Sequence, residues 1–268
     1  MKREPILNIP SITAALVAVL AGVHLIRLLL PADADYELLL TLALIPARTI
    51  GDPAAVALLP GGEGARWWSL VSYAVLHGSG MHLVINSLWI AAFGTPVARR
   101  FGNGRFIALV LVAAVAGALA HLAIYPHDPV PVIGASAAGS GLMGAAARFA
   151  FDRGGPLDMF RRMDPLAPLQ PAAPLSVVLR QPRVVFFTLI WLGLNVLFGI
   201  GSSLVPGVGG AVAWQAHIGG FAAGLLLFPL FDGATARRRQ VRMAEVLRAE
   251  DEWRRAQEDE PPHHNGSS

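Results

Sequence analysis

The 268-residue sequence contains no cysteine, a single lysine (Lys2) and few charged side chains of either sign. Without cysteine the chain has no disulfide, no thiolate nucleophile and no cysteine ligand for a metal ion. Charged residues make up 15% of the chain, against about 25% in an average soluble domain. The positive charge comes from arginines that lie in loops and in the tail rather than along one face, so we expect no nucleic-acid partner.

Hydrophobic residues are abundant, at 54% of the chain, and the mean hydropathy is +0.53. A helix needs roughly 20 apolar residues to cross about 30 Å of hydrocarbon. Six stretches meet or approach this length, so the sequence predicts an all-α, polytopic membrane protein with six transmembrane helices. The first run is expected to be retained rather than cleaved as a signal peptide. The predicted spans are 11–30, 81–98, 105–125, 136–151, 184–203 and 213–231.

The distribution of arginines between the loops predicts the orientation. Cytoplasmic loops carry an excess of Lys and Arg, and with the N-terminus (1–10) inside, every arginine-rich short loop falls on the cytoplasmic side. Both termini are therefore predicted to be cytoplasmic, in a bacterial inner membrane. The arginines assigned to the inner side are Arg99, Arg100, Arg105, Arg153, Arg161, Arg162, Arg180, Arg183, Arg237, Arg238 and Arg239.

The predicted membrane domain, 11–231, contains one long connection and is followed by a charged tail. Residues 31–80 are too apolar for a solvated linker and too interrupted by proline and glycine for a spanning helix, which predicts a membrane-associated loop. Residues 232–268 are predicted to form a cytoplasmic tail that is partly helical and then disordered.

Two polar segments interrupt the apolar runs, one with Ser136 at the start of the fourth span and one with His217 about one turn into the sixth. Polar side chains at membrane depth are costly without partners, so they indicate a functional site. A histidine within hydrogen-bond reach can take the proton of a serine hydroxyl and activate it. The sequence predicts a catalytic Ser136–His217 dyad, without an aspartate in the spans to complete a triad. Close packing of the two spans would be allowed by Gly141, Gly144, Gly220 and Gly224.

A third polar segment lies at the start of the second span. His82 and Asn86 are four residues apart and therefore share one helical face. Together with the backbone N–H of Ser136, an imidazole and an amide on that face could hold the oxyanion that forms during serine attack. The sequence thus predicts His82 and Asn86 as oxyanion-hole donors.

The chain resembles the rhomboid intramembrane serine proteases. The resemblance covers about residues 67–230 and rests on W-x8-H-x4-H-x3-N, on two turn glycines, on GASxxxxGLMG and on AHxGGxxxG. It implies Ser136 as nucleophile, His217 as general base, His82 and Asn86 as oxyanion-hole donors, and residues 31–80 as the family's membrane-embedded first loop. The positions that carry the motifs are Trp68, His77, His82, Asn86, Gly94, Gly102, Gly134 to Gly144 and Ala216 to Gly224.

Four positions depart from the family's usual residues. Ala137 replaces the glycine after the serine, and its methyl group could crowd the backbone of the oxyanion hole. Ser140 replaces an aromatic side chain that packs on the imidazole, so the orientation of His217 would depend on other packing. Ser69 replaces an arginine and Ala98 a glutamate, which together suggest a first loop that is anchored differently.

Three functional classes compete. The leading one is a protease that cleaves transmembrane proteins within the lipid bilayer, without a cofactor or metal. The alternative is a catalytically inactive rhomboid-like protein that binds membrane-protein clients; Ala137 favours it, and the retention of Ser136 and His217 opposes it. A transporter or channel would show inverted repeats or paired intramembrane charges, and the sequence shows neither. Metalloprotease chemistry would need HExxH, whereas His77 and His82 are five residues apart, and aspartyl chemistry would need paired aspartates in the spans.

Overall fold

The computed structural model describes residues 9–151, 172–201 and 213–258. These residues form a bundle of helices, as the sequence predicts, and the all-α membrane fold is confirmed. A 3₁₀ turn at Tyr73–Val75 and a π-helical turn at Ile90–Gly94 join neighbouring helices. The helices are α1 (Ser11–Leu29), α2 (Ala32–Leu42), α3 (Pro46–Ile50), α4 (Pro53–Ala57), α5 (Ala65–Ser72), α6 (Gly80–Trp89), α7 (Thr95–Phe101), α8 (Asn103–Ile124), α9 (Ser136–Ala147), α10 (Leu175–Val178), α11 (Pro182–Gly201), α12 (Trp214–Leu226) and α13 (Phe228–Glu258).

Each of the six predicted spans corresponds to a helix, but the helices differ in length. Three are long and apolar enough to cross a bilayer: α1 with 19 residues, the run Gly80–Phe101 with 22 and α8 with 22. A fourth, α11, has a shorter apolar stretch at Pro182–Leu197. The remaining two, α9 with 12 residues and α12 with 13, are too short to cross about 30 Å at 1.5 Å per residue.

Two prolines set helix junctions that differ from the predicted boundaries. The run Gly80–Phe101 is continuous, but the π-helical turn stands directly before Pro96, whose nitrogen cannot donate a backbone hydrogen bond. In the predicted sixth span, α12 ends at Leu226 and α13 begins at Phe228, with Pro229 in its first turn, where proline is tolerated. The predicted boundary at 231 between membrane domain and tail therefore lies inside α13. The predicted ends of the chain, 1–8 and 259–268, lie outside the described residues.

The short helix α9 lies in the centre of the bundle, packed between α8 and α12. Its residues from Ala137 to Ala147 are all buried, and the backbones of α9 and α12 touch. A Cβ atom added at Gly224 would lie 1.8 Å from the carbonyl oxygen of Gly141, and one added at Gly220 would lie 2.0 Å from that of Ala137. Only glycine permits this approach. The structure thus places Gly141, Gly144, Gly220 and Gly224 at the contact between α9 and α12.

The first loop folds into the helices α2 to α5 and is held by two arginines. The Arg48 guanidinium is buried and donates to the carbonyl oxygen of Leu40 at 2.6 Å. Arg66 donates to the carbonyl oxygens of Thr49 at 3.2 Å and Gly51 at 2.6 Å. Because each guanidinium satisfies several loop carbonyls at once, these arginines hold together a segment made of short helices. The loop is thereby anchored by arginines outside the family's usual position.

A buried ion pair closes the opposite end of the bundle from Ser136. The Arg100 guanidinium binds both carboxylate oxygens of Asp232, at 3.0 and 2.8 Å. The Cζ atom of Arg100 also lies 4.7 Å from the ring centre of Phe149, in a cation–π contact. Since Arg100 lies in the last turn of α7 and Asp232 in the first turns of α13, the pair attaches the C-terminal helix to the membrane bundle.

Candidate active site

Ser136 is the first residue of α9, and the segment that leads to it is fixed by the first loop. Leu44 and Val132 pair through two backbone hydrogen bonds, with N–O distances of 3.1 and 2.8 Å. The N–H of Gly134 donates to the carbonyl oxygen of Tyr73 at 3.0 Å. The φ angle of Gly134 is +126°, which glycine adopts at little cost and other residues avoid. The first loop therefore positions the backbone from which the Ser136 side chain projects.

His217 lies in the first turn of α12, next to the start of α9. Its Nε2 atom is 2.7 Å from the Oγ atom of Ser136, an ordinary hydrogen-bond distance for a hydroxyl donor. Both side chains are partly exposed. The two polar segments singled out in the sequence, 81 residues apart, thus meet at one point because the glycine contact brings α9 and α12 together.

A third polar side chain, Asn195 of α11, extends this hydrogen-bonded set. Its Oδ1 atom contacts the Nδ1 atom of His217, and its Nδ2 atom donates to the carbonyl oxygen of Trp191 at 2.8 Å. Asn195 is buried within an apolar span. The sequence analysis missed it, although the criterion that singled out Ser136, a polar side chain inside an apolar run, applies equally to this amide.

The His82 imidazole lies beside the serine hydroxyl. A Cβ atom added at Gly134 would be 2.8 Å from the Nε2 atom of His82 and 3.7 Å from the Oγ atom of Ser136. Because Gly134 has no side chain, the His82 imidazole can occupy the space beside it. The structure brings together three of the predicted site residues, Ser136, His217 and His82, around a single point.

Asn86 lies one turn further along α6 and is buried. Its Nδ2 atom donates to the carbonyl oxygen of His82 in the same helix, at 2.9 Å. A primary amide carries two N–H donors, and this bond uses one of them. The amide is thus held on the His82 side of α6, and its orientation depends on a bond within its own helix.

The start of α9 adds backbone donors to the site. The first N–H groups of a helix have no partner within that helix, and the aligned peptide dipoles place partial positive charge at this end. Ser136 occupies the first position of α9, preceded by Ala135. A negative charge that develops next to its hydroxyl would therefore meet the N-terminal end of a helix.

The structure explains how Ala137 fits where the resemblance implies glycine. A Cβ atom added at Gly117 of α8 would lie 2.5 Å from the Cβ atom of Ala137, so the methyl group occupies the space that Gly117 leaves open. Ala137 is fully buried in a cluster with Tyr73 and Ala216. The methyl group of Ala137 thus packs against α8, and its effect on an oxyanion hole stays a prediction.

The histidines near the site form a small group at one end of the bundle. His77, in the loop before α6, is buried and lies edge-on to His82, with ring centres 5.1 Å apart. Burial, followed by the charge of nearby His82, lowers the pKa of His77 to about 4, so this imidazole is neutral at pH 7. Throughout residues 9–151, 172–201 and 213–258, no three His, Asp or Glu side chains gather in a way that could hold a metal ion.

Comparison with known proteins identifies relatives of this chain. The family model described as "Rhomboid domain" matches residues 64–232, which is more than half of the chain. Rhomboid protease GluP of Bacillus subtilis is 39% identical over 79 residues, which cover 30% of this chain and 15% of GluP. RHOMBOID-like protein 4 of Arabidopsis thaliana is 29% identical over 180 residues, 67% of this chain and 37% of that protein. The matches thus span less than half the length of these curated relatives.

Proposed function

Because the chain belongs to the rhomboid family, we propose that it is an active intramembrane serine protease that cleaves transmembrane proteins through Ser136 and His217. The observation that carries this proposal is the 2.7 Å distance between Ser136 Oγ and His217 Nε2. A serine hydroxyl is a weak nucleophile by itself, and a base at this distance is what activates it. The relative named as a rhomboid protease, GluP, supports the same class of activity.

In the proposed reaction, the Oγ atom of Ser136 bonds to the carbonyl carbon of the scissile peptide while its proton passes to Nε2 of His217. The carbonyl electrons move onto the oxygen and form an oxyanion. When this intermediate collapses, the C–N bond breaks, and His217 gives its proton to the leaving amine. Water, deprotonated by His217, then attacks the acyl-enzyme, releases the carboxylic acid and restores the hydroxyl of Ser136.

We assign the oxyanion to the space between Ser136 and the start of α6. His82, next to the serine, and the second N–H of Asn86 are the side-chain donors in this proposal. The N–H groups at the start of α9 are the backbone donors, helped by the helix dipole. Donors that are already in place stabilise developing charge without reorganising during the reaction, and this is the role proposed for His82 and Asn86.

The proposed orientation places both chain ends in the cytoplasm and the active site near the outer surface. It follows from the arginine-rich loops and predicts the accessibility of introduced cysteines, for which this cysteine-free chain is a clean background. In intact bacterial cells, a membrane-impermeant maleimide is expected to label Asp33→Cys, at an exposed charged position at the start of α2 in the first loop. Arg255→Cys, exposed on α13, is expected to react only after lysis. The reverse pattern would contradict the orientation.

The competing function is a catalytically inactive relative that binds transmembrane helices. Ala137 was the feature in its favour, since a methyl group could disturb the oxyanion hole. The packing of that methyl beside Gly117 removes the steric reason for inactivity and supports the active alternative. Ser136 and His217 at hydrogen-bond distance support it as well.

The test is labelling of the detergent-purified protein with a fluorophosphonate, which reacts with activated serine hydroxyls. We expect labelling of the wild type, none of Ser136→Ala or His217→Ala, and normal labelling of Ser140→Ala. Ser140 is the matched control because it is a buried hydroxyl one turn further along the same helix. A folded wild type that does not label, or labelling that survives Ser136→Ala, would favour the inactive, helix-binding alternative.

A further inference from the structure

We propose that Asn195 is a positioning residue for the general base: it holds the His217 ring so that Nε2 faces Ser136. This inference rests on the proposed protease function and extends the predicted dyad to a hydrogen-bonded series of Asn195, His217 and Ser136. The series crosses three helices, since Asn195 lies on α11, His217 on α12 and Ser136 on α9. Its two contacts are Asn195 Oδ1 with His217 Nδ1, and His217 Nε2 with Ser136 Oγ at 2.7 Å.

The hydrogen-bond partners of the Asn195 amide determine which ring nitrogen carries the proton. The Nδ2 group donates to the carbonyl oxygen of Trp191 at 2.8 Å, and this leaves Oδ1, an acceptor, facing His217. A carbonyl oxygen can only accept, so the Nδ1 atom of His217 must carry its proton. The Nε2 atom is then unprotonated and accepts from the Ser136 hydroxyl, as a general base requires.

Packing between α11 and α12 holds Asn195 at the height of the active site. The two helices meet in successive layers, and the aromatic layer consists of Trp191 and Phe221, stacked with ring centres 4.7 Å apart. One turn along, Asn195 meets His217. One further turn along α11, a Cβ atom added at Gly199 would lie 2.3 Å from the Trp214 ring, so glycine allows close approach there. The contacts in the layers on either side of Asn195 thus hold α11 against α12 and fix the position of the amide relative to His217.

The identity of residue 140 explains why the ring needs a partner on α11. Ser140 stands where the resemblance implies an aromatic side chain that packs on the imidazole. Without that restraint, rotation of the His217 ring would break the 2.7 Å contact with Ser136. Asn195 supplies the restraint as a hydrogen bond. Because its amide is neutral, it does so without the desolvation cost that a carboxylate would carry at membrane depth.

The role has a kinetic signature that can be read with the fluorophosphonate alone. The rate at saturating probe, kinact, depends on the general base, whereas the half-saturating concentration, KI, depends on contacts with the probe. A hydrogen bond to a charged group contributes enough for its loss to lower the rate roughly 10- to 100-fold. We expect Asn195→Leu and Asn195→Ala to lower kinact by that amount with little change in KI. Asn195→Asp, which keeps an acceptor oxygen, is expected to recover at least part of the loss.

Two controls separate positioning from general stability. Leu194→Ala removes the neighbouring side chain, which is largely exposed on the outer side of α11, and is expected to label at the wild-type rate. Thermal unfolding in detergent identifies any variant that is not folded, and Asn195→Ala replaces Asn195→Leu if the larger side chain prevents folding. Nitrogen-15 histidine spectra, with the His217 signals assigned by their loss in His217→Ala, report the ring tautomer directly. We expect a protonated Nδ1 in the wild type and a mixture of tautomers in Asn195→Ala.

The outcomes distinguish this inference from the function on which it rests. If the folded wild type does not label, the proposed protease function is contradicted. If the wild type labels and Asn195→Leu has an unchanged kinact, only the positioning role of Asn195 is contradicted. The positioning role also fails if kinact falls equally in Leu194→Ala, or if the His217 tautomer is the same with and without the Asn195 amide.

Discussion

Replacing Gly224 by alanine is the most direct test of how packing sets the distance between base and nucleophile. A Cβ atom at this position would lie 1.8 Å from the carbonyl oxygen of Gly141, whereas real Cβ contacts essentially never fall under 3.0 Å. The two backbones must therefore separate by about 1.2 Å, the difference between these two distances. If α12 moves as a unit along the line from Ser136 to His217, the 2.7 Å contact between them lengthens to about 3.9 Å, beyond hydrogen-bond range, and a shift in another direction lengthens it less.

This displacement predicts a large loss of rate. A misplacement of about 1 Å at the reacting atoms can reduce rate by about 100-fold, so we expect kinact of Gly224→Ala to fall by that order. Strain in the α9–α12 contact is expected to lower the free energy of unfolding by about 1–3 kcal/mol. The assays are the labelling rate with a fluorophosphonate and thermal unfolding in detergent, both on purified protein.

Gly22 on α1 provides the matched control, because a Cβ atom there would meet nothing within 4 Å. Gly22→Ala is expected to keep the wild-type rate and to gain up to about 0.5–1 kcal/mol from helix propensity. If Gly224→Ala labels at the wild-type rate in folded protein, then α12 absorbs the added methyl without moving His217. That result would refute the view that the glycine contact sets the geometry of the dyad.

Three further changes test other parts of the structure. Asn86→Ala should lower kinact by about 100-fold, the order of loss for one oxyanion donor, and an unchanged rate would remove Asn86 from the oxyanion hole. Ala137→Gly should leave the labelling rate unchanged and reduce stability by about 1 kcal/mol, because its methyl packs beside Gly117; a faster rate would show that the methyl hinders the site. Asp232→Ala removes the carboxylate that binds the buried Arg100 and should cost about 3–5 kcal/mol in the free energy of unfolding, measured by thermal denaturation; a loss under about 1 kcal/mol would show that this ion pair contributes little to stability.

The sequence singled out Ser136 and His217, which the structure places 2.7 Å apart, because polar residues stand out in a membrane span. Ser136 and His217 stand inside apolar runs where unpartnered polar atoms are costly, so their type and depth already suggested a pair. The packing glycines could be recognised from their spacing, since Gly220 and Gly224 are one turn apart and would face a neighbouring helix. Segment length and composition were sufficient for the all-α bundle, because helices satisfy their backbone hydrogen bonds without water.

Contacts between distant residues could not be predicted in the same way. Asn195 is a neutral acceptor, and its contact with His217 depends on how α11 packs on α12, which the sequence of α11 does not indicate. Arg48 and Arg66 were visible in the loop, but nothing local tells which carbonyl oxygens a long side chain will reach. The end of α12 was misplaced because hydropathy continues through Pro229, whereas the helix break depends on its missing N–H.

The departures from the family pattern show that a motif position describes only one side of a contact. Ala137 carries a methyl group where the resemblance implies glycine, and Gly117 of the facing helix leaves the space that this methyl group fills. Ser140 lacks the aromatic ring, and Asn195 contacts the imidazole from another helix. In the first case a neighbouring helix makes room for the side chain on α9, and in the second a neighbouring helix contacts the imidazole in place of α9. Whether a departure disables the site therefore depends on the residue that faces it, and conclusions about activity drawn from Ala137 alone do not follow.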